Sequence, residues 1–171
     1  MNIDREFLQI SADRLLQSME RIETCVAQLT AEQIWQRGSE NQNAVGNLLL
    51  HLRGNVRQWI LTGVGDAATA RDRDSEFAAR TGGDAKQLTA DLKAVVEEAA
   101  ELIRNLPAER LLDRIHVQVY DATVLGAIYH VVEHFSGHLF QIILLTKMFT
   151  HKDLGFYAHL REEKTSAGAL P

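Results

Sequence analysis

Apolar residues recur at alternating steps of four and three along most of this chain, the spacing that stacks side chains on one face of an α-helix. In the first segment, from about Asn2 to Gln28, Leu15, Met19, Ile22, Val26 and Leu29 form such a seam, and Arg14, Glu20, Arg21 and Glu23 face the other way. A second seam, Val45, Leu48, Leu49, Leu52, Val56, Trp59 and Ile60, predicts a helix from an N-cap at Asn43 to about Thr62, ended by Gly63 and Gly65. Leu88, Leu92, Val95, Ala99, Leu102 and Leu106 predict a third over roughly Asp84 to Asn105, with Pro107 at its end. Thr123 caps a predicted fourth helix that continues to about Thr150.

The connections are less regular. Thr30-Ala31-Glu32-Gln33 reads as a capping box opening a short turn. From Asp66 to Asp84 the chain turns polar, with Arg71-Asp72-Arg73-Asp74-Ser75-Glu76-Phe77 and Gly82-Gly83. This reads as a long loop between helices two and three, longer than a bundle needs, and able to cover something. Leu111 to Tyr120 leans toward β structure, extended or as a small hairpin. Four amphipathic helices of about 20 to 28 residues predict an all-α four-helix bundle. One domain is expected over residues 1–171, with a flexible tail from about 165.

Composition narrows the function. A net charge of −5 gives no basic footprint for nucleic acid. The lone Cys25, on the first seam, excludes an intramolecular disulfide and points to a reducing compartment. The opening MNIDREFLQI lacks a basic region followed by an apolar block. No apolar run approaches the roughly 20 residues of a membrane span. The expectation is a cytoplasmic protein whose partners are neither nucleic acid nor membrane.

Candidate chemistry centres on histidine. His130, His134 and His138 stand one turn apart on one helical stripe. Random placement of the seven histidines would give about 0.3 such i,i+4 pairs. His51 interrupts the apolar run Leu48-Leu49-Leu50-His51-Leu52, where an imidazole needs a partner. A metal is one candidate, and a hydrogen-bonded core position is the other. His130 reads as a surface or supporting residue, because three consecutive turns rarely bind one ion. Asn47 and Asn55 flank His51 at one turn each and can orient it, although helix-surface polarity explains them equally well. Glu133 and Gln141 can hydrogen-bond a ligand or serve only as helix formers. Arg71 and Arg73 can hold charge pairs over a pocket mouth or belong to a solvated loop. His134 and His138 have zincin spacing, but Phe135 stands where the zincin glutamate would be.

Three segments carry a wider likeness: Asn43-Ala44-Val45-Gly46-Asn47-Leu48-Leu49-Leu50-His51-Leu52-Arg53-Gly54-Asn55, then Arg71 to Phe77, then His130 to Gln141. Through them the chain resembles the DinB/YfiT-like superfamily of metalloenzymes over nearly its whole length, and within it a small, uncharacterised bacterial branch. The resemblance implies a four-helix bundle holding a divalent metal, commonly nickel or zinc, with one histidine from helix two and an H-x-x-x-H pair from helix four. By motif position these are His51, His134 and His138; His130 falls one turn outside the motif. Many members follow the last histidine with Arg-Gly-Gln, whereas this chain reads Leu139-Phe140-Gln141, so any role of that arginine does not carry over. Relatives include S-transferases and isomerases that use bacillithiol, mycothiol or glutathione. The implied activity is a metal-dependent transferase or hydrolase acting on a small molecule, with a low-molecular-weight thiol as a further cofactor. The alternative is a non-catalytic metal-binding or stress-response interaction module, marked by a fourth ligand from the protein. A homodimer follows from family habit alone.

Overall fold

The computed structural model describes residues 3–68 and 70–158, so the tail from about 165 lies outside them. Its elements are α1 (Ile3–Val26), α2 (Ala31–Trp35), α3 (Val45–Val56), α4 (Arg73–Ala78), α5 (Ala85–Asn105), β1 (Arg114–Val117), β2 (Tyr120–Thr123) and α6 (Val124–Thr150). Helix α3 continues without a break into a π-helical turn, Arg57–Thr62. Helices α1, α3, α5 and α6 form the predicted four-helix bundle. Both α1 and α3 pack against α5 and α6, which places α3 directly beside the histidine-bearing helix.

The predicted seams meet in one contiguous core. Leu15, Met19 and Ile22 of α1, Leu48 and Leu52 of α3, Leu92 and Ala99 of α5, and Phe135 and Ile142 of α6 are all buried in it. Burying each large apolar side chain contributes about 1.5–3 kcal/mol before chain entropy is charged against it. Cys25 is part of the same core. No helix among the described residues is long and apolar enough to cross a membrane.

Two local readings change, the N-cap of α3 and the loop before α5, and a third is decided between its two alternatives. The N-cap of α3 is Ala44, not Asn43, and Ala44 has no side-chain acceptor. The start of this helix is held instead by Asn47, whose Oδ1 accepts the Ala44 N–H at 3.1 Å. The expected loop between α3 and α5 contains the short helix α4. It starts because the Asp72 carboxylate accepts the Ser75 N–H, and Asp74 and Glu76 then lie in its first turn, near the positive end of the helix dipole. The β-leaning stretch is a hairpin pairing Arg114 with Thr123 and Val117 with Tyr120. Its two-residue turn holds Gln118 at φ 59°, a conformation that costs a side-chain-bearing residue about 1–2 kcal/mol. Two sequence expectations stand unaltered. Thr30 and Gln33 form both bonds of the capping box, and Thr123 caps α6 by accepting the Gly126 N–H.

Candidate metal centre

The core position of His51 on α3 and the stripe on α6 turn toward each other across the helix pair. His51 Nε2 and His134 Nε2 stand 2.9 Å apart, and one nitrogen from each of His51, His134 and His138 lies within 4.8 Å of the others. Ring centroids are 5.0 Å apart for His51 with either partner, and 4.4 Å for His134 with His138. Two ring nitrogens facing at 2.9 Å require a shared proton or cation, since two bare lone pairs repel. His130 stacks on His134 at 5.5 Å, and its other neighbour is Trp59 at 4.4 Å. It does not join the group of three.

The far side of each ring decides which nitrogen is available. His51 Nδ1 lies 3.1 Å from Glu76 Oε2. A carboxylate only accepts, so this contact needs the proton on Nδ1 and leaves Nε2 its lone pair, while the Arg71 guanidinium also stands 3.1 Å from Nδ1 but is spent on Glu76. Glu76 is buried, and Arg71 donates to it through Nε and Nη2, both at 2.7 Å. Burial pushes the Glu76 carboxyl up, but the hydrogen bonds from Arg71 and His51 outweigh it and hold the group below its ordinary value. Gln141 plays the equivalent part for His138: its Oε1 accepts from Nδ1 at 2.7 Å and leaves Nε2 open.

Protonation is suppressed where a metal would need a lone pair. Burial, with help from the neighbouring imidazoles of His138, His51 and His130, pushes His134 down to about 3. Burial also lowers His138, against the opposing pull of Gln141. Neutral imidazoles with lone pairs converging on one point are a fitting donor set for a divalent ion of the zinc or nickel type. Among the described residues, no thiol, carboxylate or further histidine completes the group.

A family model described as a protein of unknown function, DUF1572, matches residues 2–160. The chain belongs to the DUF1572 family. Its fold is similar to that of a conserved protein from Enterococcus faecalis, at a TM-score of 0.72 and 16% identity over 84% of this chain and 97% of the other. A DinB-like protein from Bacillus cereus superposes with a TM-score of 0.62 at 16% identity, covering 77% of this chain and 85% of that one. The DUF1572 chain therefore has the DinB-like fold. No curated protein matches its sequence.

The other predicted residues divide by position around this DUF1572 site. Asn47 does not reach His51. Its amide donates to the carbonyls of Glu76 and Ala79 and accepts from Arg37 at 2.6 Å, fastening α4 onto α3. Asn55 also leaves His51 Nδ1 alone, and its Oδ1 is buried without a partner. Glu133 is exposed and borders an open cavity of about 380 Å³ against His134 and His138. Arg71 is committed to Glu76, whereas Arg73 lies 5.0 Å over the Phe77 ring. A second cavity, about 360 Å³, borders His51 and His134. A further cavity, about 670 Å³ between α1 and the outer side of α6, touches none of the three histidines.

Sequence reasoning missed Glu76, Gly54, Gln58 and Trp59 as site residues. Gly54 has a specific role: a Cβ there would run into Glu76 Oε1 and Arg71 Nε. The π-helical turn delivers the other two, since Trp59 meets His130 and Gln58 Oε1 accepts from Arg71 at 2.8 Å.

Proposed function

We propose that His51, His134 and His138 hold one divalent ion, nickel or zinc, and that the chain is a metal-dependent transferase or hydrolase acting on a small molecule. The observation that carries this reading is the convergence of three imidazoles from two helices, with the Nδ1 of His51 and of His138 already engaged by Glu76 and Gln141. Structural metal sites are usually closed by four protein ligands; three with an adjoining cavity favour a site that keeps a position for a reactant.

Each protein group has a defined task. Glu76 fixes the tautomer and plane of His51, Arg71 fixes Glu76, and Gln141 fixes His138. Burial keeps His134 unprotonated at neutral pH. The bound ion supplies Lewis acidity at its open position.

The reading is tested by assaying chelator-treated and metal-restored protein against small esters and amides and against electrophiles paired with low-molecular-weight thiols. Turnover that appears with nickel or zinc and disappears in His134→Ala supports it. Turnover indifferent to both treatments, or none across the panel, contradicts the enzymatic part.

A further inference from the structure

Three aromatic side chains from separate elements line the cavity beside His51 and His134. Trp59 from the π-helical turn, Tyr120 from β2 and His130 from α6 form an aromatic row, with Trp59 centred 6.0 Å from Tyr120 and 4.4 Å from His130. The row runs on to His134, which lies nearly parallel to His130 at 23°. A run of flat rings along a partly desolvated cavity favours a flat, largely apolar ligand.

Two polar groups in the same wall are unclaimed by the protein. Arg71 is neutralised by Glu76, but no carboxylate pairs with Arg73 among the described residues; Arg73 lies over the Phe77 ring. With Arg71 paired to Glu76, Arg73 is the guanidinium of this wall that has no carboxylate partner among the described residues. Asn55 is only 5% exposed, lines the cavity, and has a buried amide oxygen with no partner. A buried polar atom left unpaired costs about 1–3 kcal/mol, which a bound molecule can recover by meeting the amide.

We propose that this cavity is a subsite for a small aromatic carboxylate bearing a hydrogen-bonding ring substituent. The carboxylate pairs with Arg73, the ring lies along Trp59 and His130, and the substituent meets the Asn55 amide. The proposal rests on the metal reading only in taking this molecule as a substrate of that centre. Binding itself requires no ion, so the two ideas fail separately.

Ligand-observed NMR titrations of benzoate, benzamide and 3-hydroxybenzoate test it, using protein as purified and again after dialysis against a chelator. Both preparations should prefer benzoate to benzamide. Arg73→Gln, a change at an exposed position, should weaken benzoate about tenfold and leave benzamide unmoved. Asn55→Leu should reduce 3-hydroxybenzoate to the affinity of benzoate while leaving benzoate itself unchanged. Equal binding of benzoate and benzamide, no response to Arg73→Gln, or no detectable binding would each overturn the proposal. Binding of benzoate that vanishes on chelation would overturn it too, because the carboxylate would then be reading the metal rather than Arg73.

Discussion

Glu76 Oε2 lies 3.1 Å from His51 Nδ1, with both side chains buried although they stand 25 positions apart in sequence. This contact makes an ordinary core histidine into one whose Nε2 must face α6. Replacing the carboxylate by an amide, Glu76→Gln, leaves an acceptor for His51 but strands the buried charge of Arg71. Breaking a buried pair costs about 3–5 kcal/mol, and loss of such an outer partner weakens metal binding about 10–100-fold. Chemical denaturation and competition with a chromophoric chelator read the two effects. A wild-type metal affinity in the variant would remove Glu76 from the account.

Gly54→Ala reaches the same contact without touching a histidine. Helix propensity alone favours alanine by about 1 kcal/mol. The added Cβ collides with Glu76 and Arg71, so the expected outcome is the opposite: lower thermal stability and weaker metal binding. A variant more stable than wild type, with unchanged affinity, would show that the ion pair can move aside freely.

Acidification should loosen the metal-free protein in a defined window. His134 titrates at about 3 when folded and near 6.5 when unfolded, so between those values the unfolded chain binds the extra proton. Unfolding free energy therefore falls as pH drops below about 6.5 and continues to fall toward about 3. The lowered value of Glu76 acts in the same direction at the acid end, its contribution being lost as pH falls through the folded value. His134→Gln should flatten the difference in urea midpoint between about pH 7 and about pH 5. An unchanged slope would mean that His134 is not held neutral by its surroundings.

Gln141→Leu separates the two outer supports. It frees His138 Nδ1 on the exposed side of α6, where the core is not involved. Stability should stay within about 0.5 kcal/mol of wild type while metal affinity falls about tenfold. Equal affinity in a metal titration would show that His138 needs no orienting partner.

The sequence displays some of this site and conceals the rest for physical reasons. His134 and His138 are legible because a four-residue step on one helix fixes their separation before any tertiary contact forms. His51 is legible as an anomaly in an apolar run, but its meeting with His134 depends on α3 lying beside α6, which no local pattern contains; the family resemblance supplied that. Glu76 is hidden among Asp72, Asp74 and two arginines, and nothing local marks which carboxylate turns inward. Helix α4 is six residues long, too short for apolar periodicity to appear, and Phe77 is its one large apolar residue. Asn47 shows the opposite error: its spacing from His51 is right for contact, yet its amide is spent on the backbone of residues 76 and 79.

The central claim is that three histidines bind one ion, and elemental analysis of protein purified without an affinity tag tests it most directly. Wild type should carry about one nickel or zinc per chain, and His51→Ala, His134→Ala and His138→Ala should each carry none while retaining helical circular dichroism. Equal metal content in wild type and all three folded variants would contradict the account.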